Sequence, residues 1–274
     1  MAITSILRLS EIKQPAATPL GGSLLNHVPV HRNQEHITAR DDDALWRSYR
    51  EIKTIAKSFD PCDDDQGVSF EGYKWAYGTT FALETGTECA VLGNDVEEQR
   101  AKMREQFDAY EPTAIEYALE AVLSAKAEDI AATVPGDIDL RFALAALEDA
   151  AAYGYPYKPI IHMSRFSASA LGDRIVWKDD KAFTRSGIPV AAGGGYGTPG
   201  RGTGGWGSPV MYLTGQMFIE SGPEYGVDHL IDRRLSAPTD PDEGTQATVI
   251  TTYRRPYRVG FEGPVLSITG KGID

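Results

Sequence analysis

Residues 158–172 read KPIIHMSRFSASALG, and their pattern changes at Arg165. The first half is a short apolar run, which predicts a buried strand over 158–164. The second half, RFSASALG, predicts a short helix over 165–172. Because His162 lies inside the apolar run, we expect a core histidine with hydrogen-bonded ring nitrogens rather than a metal ligand.

The segments on both sides of this stretch also have the sequence patterns of helices and strands. Upstream, residues 137–155 have the amphipathic spacing of a helix, which Gly154 and Pro156 end. Strands and helices do not alternate as regular βαβ units, so the sequence predicts an α+β fold. Strand composition returns downstream in five runs, which are RIVWKDD (174–180), GIPVAA (187–192), 209–222, 245–261 and 264–270.

A long amphipathic helix pattern covers residues 94–132. Asn94 and Glu97 have the spacing of a capping box at its start. Pro112 suits a first helical turn, so the pattern leaves two alternatives, either two abutting helices or one helix kinked at Pro112. The apolar positions form two stripes, which are Val96, Met103, Phe107 and Tyr110, and then Ile115, Ala118, Leu119, Val122 and Leu123.

The first 40 residues have a mixed character. Their prolines and glycines oppose a long helix or a continuous strand. Apolar residues such as Leu24, Leu25 and Val28 are nevertheless too frequent for a solvated tail. We therefore expect an extended arm that packs on neighbouring subunits.

The next 53 positions, up to residue 93, divide into two parts. Residues 41–59 begin with three aspartates and have apolar residues on one helical face, which predicts a short helical segment. The sequence DPCDDDQG at 60–67 ends it. Residues 68–93 are rich in aromatic, threonine and valine residues with scattered glycines, which predicts strands and a hairpin.

Composition excludes several classes of protein. With 42% apolar residues, the chain suits one or two globular domains. A formal net charge of -12 opposes tight binding to nucleic acid phosphates. The sequence holds no apolar run long enough to span a membrane and begins without the pattern of a signal peptide, so we expect an intracellular origin. Cys62 and Cys89 are too few and too far apart for a disulfide framework or a zinc site.

The glycine-rich stretch IPVAAGGGYGTPGRGTGGWG (188–207) contains a literal G-x-G-x-x-G, at Gly195, Gly197 and Gly200. A dinucleotide site needs a helix that opens directly on such glycines, because its amides hold the pyrophosphate. The glycines and Pro209 that follow oppose such a helix, and no Walker-type lysine is present. The stretch therefore predicts a flexible surface loop, with a nucleotide site as the alternative.

No other motif predicts chemistry. His27, His31 and His36 are closely spaced, but Pro29 breaks the helix that would align the first two. The aspartate runs at 41–43 and 63–65, like DPDEG at 240–244, lack the ligand spacing of a calcium loop. We therefore predict no catalytic residues, no cofactor-binding residues and no metal ligands, and a protein that is not an enzyme.

The order of these segments resembles the major capsid proteins of tailed bacteriophages with the Hong Kong 97-type fold, as found in actinobacterial phages. In that family a helix with a glycine turn leads to a strand like IIHMSRFSASAL (160–171). A G-x-P-V strand follows, here Gly187–Val190. The C-terminal strand often carries arginines before an apolar end, here Arg254, Arg255 and Arg258.

The resemblance implies a domain organisation for most of the chain. It implies a peripheral domain built on a spine helix and an axial domain around the centre of a capsomer. The implied ranges are an N-terminal arm (1–40), the short helical segment (41–59), an extended loop or hairpin (60–93), the spine helix and peripheral domain (94–135), the axial domain (136–248) and C-terminal strands that return to the peripheral domain (249–274).

The resemblance also implies a function and a set of partners. It implies a structural shell protein that assembles with itself as pentamers and hexamers around double-stranded DNA, in the virion, after assembly in the host cytoplasm. Further implied partners are a portal, a separate scaffolding protein and packaged DNA, held by weak non-specific contact; no membrane is implied. The alternatives are an encapsulin-like compartment shell, another phage structural protein such as a tail tube or decoration subunit, and a nucleotide-binding enzyme.

Overall fold

A computed structural model describes residues 21–32, 46–47, 75–90, 96–134, 138–155, 158–196, 209–232 and 247–270. Its helices are α1 (Leu24–His27), α2 (Val96–Lys126), α3 (Leu140–Gly154) and α4 (Arg165–Ala170). Its strands are β1 (Val30–Arg32), β2 (Trp46–Arg47), β3 (Trp75–Ala90), β4 (Ala127–Asp129), β5 (Ile160–Ser164), β6 (Ile175–Lys178), β7 (Lys181–Thr184), β8 (Pro189–Gly193), β9 (Val210–Thr214), β10 (Met217–Ser221), β11 (Tyr225–Asp232), β12 (Ala247–Phe261) and β13 (Val265–Thr269).

The two long helices follow the sequence patterns closely. The helix predicted over 137–155 is α3, and Asp139 caps it by accepting hydrogen bonds from the amides of Arg141 and Phe142, each at 2.8 Å. The helix predicted over 94–132 is α2. Of the two alternatives for that region, the structure has a single helix that continues through Pro112.

A seven-stranded sheet contains the stretch from which the sequence analysis started. Its strand order is β4-β13-β9-β5-β8-β7-β6, and β5 pairs in parallel with β8 and antiparallel with β9. The predicted strand at 158–164 and helix at 165–172 are confirmed as β5 and α4. Side chains of α3, including Leu144 and Leu147, form a core with Ile161 and Met163 of β5.

A six-stranded sheet lies on α2. Its strand order is β1-β10-β12-β3-β2, and β11 pairs with the other part of β12. Leu119 and Leu123 of α2 form its core with Tyr257, Val259 and Phe261 of β12. This sheet therefore joins strands from both ends of the chain.

The hairpin predicted within 68–93 stays a prediction, because the structure describes only residues 75–90 of that range. Residues 75–90 form the single strand β3, which pairs antiparallel with β12 from Tyr77↔Phe261 to Ala90↔Thr248. The glycines that indicated turns occupy ladder positions, since Gly78 lies opposite Gly260. The partner of β3 in this ladder is β12, a segment distant in sequence that local composition does not reveal.

Residues 21–32 of the predicted arm pack on their own chain, and packing of the arm on neighbouring subunits stays a prediction. Leu24 and Val28 are buried in the core on α2, and β1 pairs in parallel with β10 of the same chain. The physical reason is that α2 and β8 cover these apolar side chains within the same chain. The rest of the predicted arm lies outside the described residues.

The helix predicted over 41–59 lies mostly outside the described residues. Only Trp46 and Arg47 are described, and they pair with Ala76 and Trp75 of β3 as a short strand. The helix prediction is wrong at these two positions, because their backbone is paired with a sheet. Among the described helices, none is long and apolar enough to cross a membrane.

The chain passes between the two sheets at two adjacent connections. Gly215 and Gln216 join β9 to β10, and residues 262–264 join β12 to β13. The two connections are bonded to each other, because the Gly215 amide donates to the Glu262 carbonyl and the Glu262 amide donates to the Gln216 carbonyl, both at 3.0 Å. Tyr155, after α3, donates from its hydroxyl to the Pro264 carbonyl at 2.5 Å.

Candidate functional site

Glu116 is a fully buried carboxylate on the core face of α2. Its position follows from helical spacing, since Leu119 and Leu123 come three and seven residues later on the same face. Both leucines are fully buried as well. An ionisable group at such a position is rare and needs hydrogen-bond partners.

The partners of Glu116 come from two distant segments of the chain. Oε1 accepts a hydrogen bond from the amide of Leu24 at 2.8 Å. Oε2 accepts one from the amide of Gly195 at 3.2 Å, and the Gly194 amide also donates to the carboxylate. A single side chain thus joins the N-terminal segment and the start of the glycine-rich stretch to α2.

The electrostatics of Glu116 are dominated by its burial. Loss of contact with water raises its pKa to about 7, because the charged form is solvated less well inside the protein. The amides of Leu24, Gly195 and Gly194 act in the opposite direction, since they donate to the charged form, and so does the nearby guanidinium of Arg165. Close to neutral pH, the carboxyl group therefore exchanges its proton.

The start of the glycine-rich stretch is packed against α2, so the prediction of a surface loop is wrong for it. Gly193, Gly195 and Tyr196 are buried. A Cβ at Gly193 would overlap the carboxylate of Glu116, and one at Gly195 would overlap the backbone of α2. The glycines are thus required for close approach to a helix. The remainder, 197–208, lies outside the described residues.

The same contacts oppose the alternative of a nucleotide site in this stretch. A phosphate would need free amides, but those of Gly194 and Gly195 already donate to Glu116. The carboxylate occupies the position where an anion would bind.

His162 is confirmed as a core histidine with both ring nitrogens hydrogen-bonded. Nδ1 lies 2.9 Å from the Tyr196 hydroxyl, and Nε2 lies 2.9 Å from the Thr214 hydroxyl. Burial lowers the pKa of His162 to about 3, so the ring is neutral at physiological pH. This network fixes Tyr196, directly after Gly195, on the seven-stranded sheet.

The N-terminal segment is anchored to the same sheet by backbone contacts. The Gly22 amide donates to the Asp180 carbonyl at 2.6 Å, and the Gly22 carbonyl accepts from the Ala192 amide at 2.8 Å. Gly22 has φ of 86°, and a Cβ there would lie 2.5 Å from the Trp177 ring. The Arg165 guanidinium lies over that ring, 5.0 Å from its centroid, and donates to the Gly21 carbonyl.

A second buried charge, Arg255, lies on β12. Its Nη1 is 2.8 Å from Glu111 of α2, and its Nη2 donates to Glu224 and, at 3.1 Å, to the Tyr253 hydroxyl. Tyr257 donates to the same Glu111 carboxylate. Arg255 therefore joins α2, β12 and the segment before β11 through charge-assisted hydrogen bonds.

The surroundings of Arg255 favour the charged form of Glu224. Burial alone would raise the pKa of Glu224. The pKa is nevertheless lowered, because Tyr253 and Arg255 donate hydrogen bonds to the charged form of the carboxylate. Arg104 of α2 lies 2.8 Å from the second oxygen of Glu224. The Phe107 ring lies 5.2 Å from the guanidinium carbon of Arg255.

Several large apolar side chains are exposed on the isolated chain. Tyr110 and Tyr117 lie seven residues apart on the outer face of α2 and are about two-thirds exposed. On α3, Phe142 and Tyr153 are exposed in the same way, and Tyr153 is almost completely accessible at 97%. The sequence analysis places Tyr110 in one apolar stripe with Met103 and Phe107. Met103 and Phe107 are buried, but Tyr110 is exposed, so the buried stripe ends at Phe107.

The histidines and acidic runs that the sequence singled out do not come together in the described residues. His27 lies in α1 with its ring edge against Phe183, and His31 lies on β1. Within the described ranges, no three His, Cys, Asp or Glu side chains lie close enough to hold a metal ion. His36, Cys62 and the aspartate runs lie outside those ranges.

Solved structures with the same arrangement of elements are capsid structures and phage structures. The chain is similar to the capsid of a native GTA particle computed with C5 symmetry, with a TM-score of 0.51 and 11% sequence identity over 97% of this chain and 96% of that chain. It is also similar to a structure of Gordonia phage Cozz, with a TM-score of 0.50 and 12% identity over 98% of this chain and 92% of that chain. No protein-family model and no curated protein matches the chain.

These similarities identify the fold. At 11–12% identity the side chains have diverged almost completely, while the elements align along nearly the full length of both chains. The chain has the α+β phage capsid fold.

Proposed function

We propose that the chain is the major capsid protein of a tailed bacteriophage, a structural protein and not an enzyme. In this role it assembles with copies of itself, as pentamers and hexamers, into an icosahedral shell around double-stranded DNA. The observation that carries the proposal is the near-complete alignment with the capsid of a GTA particle, which extends over 97% of this chain and 96% of the other. Such mutual coverage leaves little of the chain for a separate catalytic domain.

We propose the Hong Kong 97-type division of the chain for the same reason. The arm is 1–40, the extended loop is 60–93, the spine helix and peripheral domain are 94–135, the axial domain is 136–248, and 249–274 return to the peripheral domain. The long helix α2 supports the role of a spine. Strand pairing links the last two ranges, because β10 of the axial range pairs with β12.

The partners that we propose follow from this role. The exposed aromatic side chains of α2 and α3 suit contacts between neighbouring subunits, since large exposed apolar groups often mark interfaces. The net charge of -12 suits a shell that holds DNA by weak contact only. A portal, a separate scaffolding protein, location in the virion and assembly in the host cytoplasm complete the proposal.

Negative-stain electron microscopy of the purified full chain tests the proposal. We expect capsomers, closed shells or tubes to form as the protein concentration is raised. Closed particles that enclose protein cargo would indicate a compartment shell, and copies that bind only preformed heads would indicate a decoration subunit. A chain that stays monomeric at high concentration, also when the candidate scaffolding protein is co-expressed, contradicts the proposal.

A further inference from the structure

Glu116 connects three segments that are far apart in sequence. The Leu24 amide comes 92 residues before it, and the Gly195 amide comes 79 residues after it. Both bonds are buried, and they use different oxygens of one carboxylate. Gly193 touches the same carboxylate from β8, where any larger residue would overlap it.

We propose that Glu116 is a latch that holds residues 22–28 and the start of the glycine-rich stretch on α2, and that its charge state sets how firmly the latch is closed. The latch is a property of the single chain. It goes beyond the proposed shell function and does not depend on it.

The geometry couples the two held segments. When the Leu24 amide leaves Oε1, a buried carboxylate oxygen loses its partner, which is costly unless water enters. Water that reaches Oε1 also reaches Oε2, because the two atoms belong to one group. The bond to the Gly195 amide is then exchanged for bonds to water, so both segments are released together.

The direction of the pH effect follows from linkage. In the closed form burial raises the pKa of Glu116 to about 7, whereas in an open form water restores the ordinary value of 4.5. Between these values the closed form keeps the proton and the open form loses it, so a rise in pH favours opening. The latch is therefore firmest below pH 5 and loosest above pH 7.

Other charged and titratable groups face Glu116 from the elements around it. Arg165 on α4 favours its charged form, and the buried Tyr196 is influenced by both Glu116 and Glu120. Tyr196 stays neutral because burial raises its pKa far above the ordinary value. The groups behind this first layer are His162 on β5, which is neutral, and His27 on α1, whose pKa burial lowers. Glu116 is thus a group of this site whose pKa of about 7 lets it change charge between pH 5 and pH 8.

Hydrogen–deuterium exchange of the full chain between pH 5 and pH 8.5 tests the latch. Rates are divided by those of unstructured peptides, because amide exchange is itself base-catalysed. We expect protection of residues 22–28 and 193–196 to fall together as pH rises, by on the order of a hundredfold, since each unit of pKa difference corresponds to a factor of ten. Glu116→Gln cannot ionise, so protection of both segments should no longer depend on pH.

Glu105→Gln is the matched control, because Glu105 is exposed on the same helix and its loss should leave the pH dependence unchanged. The proposal is overturned if Glu116→Gln keeps the pH dependence of the natural chain, or if the two segments lose protection at different pH values. Loss of protection at different pH values is measured on the natural chain, so this outcome overturns the proposal even if Glu116→Gln fails to fold.

Discussion

At the scale of single residues, Glu116 and Arg255 are buried charged side chains in the described part of the chain, and their surroundings differ. Glu116 accepts hydrogen bonds from backbone amides. Burial raises its pKa to about 7, because these amides do not fully replace the solvation that water gives the charged carboxylate. Arg255 is met by the carboxylates of Glu111 and Glu224. The first group can therefore change charge near neutral pH, while the second stays ionised.

Replacing Arg255 by methionine is expected to lower the free energy of unfolding by about 3 kcal/mol, because the substitution removes the buried guanidinium from Glu111 and leaves Glu224 with Arg104 alone. Urea unfolding of the dilute chain measures the change. Arg254→Met removes the same charge from the neighbouring exposed position and should change stability by less than about 0.5 kcal/mol. Equal effects of the two substitutions would mean that the buried cluster contributes nothing specific.

The sequence revealed some of these residues and not others. His162 could be predicted because an apolar run surrounds it on both sides. Glu116 has the spacing of a core position with Leu119 and Leu123, but its charge made it look like part of the exposed face. Its amide partners at Leu24 and Gly195 lie far away in sequence, and only the folded chain brings them together.

At the scale of elements, the packing of α2 against β8 depends on the absence of side chains. Gly193 ends β8 directly beside the Glu116 carboxylate, and Gly195 lies against the α2 backbone. The glycine-rich composition is typical of a flexible connector, but at Gly193 and Gly195 the glycines allow close packing against a helix.

Gly193→Ala is expected to destabilise the chain by about 1–3 kcal/mol, because the added methyl group must displace a buried carboxylate. Gly154→Ala is the control, since Gly154 lies in α3 with open space around it. There, alanine should be neutral or stabilising by up to about 1 kcal/mol, because it is the better helix former. Thermal unfolding followed by circular dichroism compares the two. A harmless Gly193→Ala would argue against the close approach.

Elements with a local signal were predictable, and elements that depend on distant partners were not. The helices α2, α3 and α4 and the strand β5 each have a period or a composition of their own. The pairing of β3 with β12 could not be predicted from local composition, because β12 comes more than 150 residues later. The segment around α1 looked like an arm because its cover on α2 and β8 is invisible in a local pattern.

At the scale of the whole molecule, two sheets are linked by a pair of bonded connections. Gly215 approaches so closely that a Cβ there would overlap the Glu262 carbonyl. The six-stranded and seven-stranded sheets therefore share a hydrogen-bonded junction. Helix α2 closes the core of the six-stranded sheet, and its residue Glu116 contacts Gly193 at the end of β8 in the seven-stranded sheet.

Thermal unfolding of the dilute chain is expected to be a single transition, with equal calorimetric and van't Hoff enthalpies, because neither sheet keeps its junction when the other is lost. Leu147→Ala weakens the core of the seven-stranded sheet, and Arg255→Met weakens the six-stranded sheet. Both should lower the same Tm. Two transitions in calorimetry, each moved by only one of the variants, would show that the sheets unfold separately.

The order in which the strands of the two sheets follow one another along the chain has a consequence for genetic recombination. Strands of the six-stranded sheet come from 30–90 and 217–261, and those of the seven-stranded sheet come from 127–214 and 265–269. Recombination that exchanges one continuous stretch of the gene cannot transplant either sheet without strands of the other. We therefore expect exchanges between distant relatives to be tolerated only when they carry nearly the whole chain.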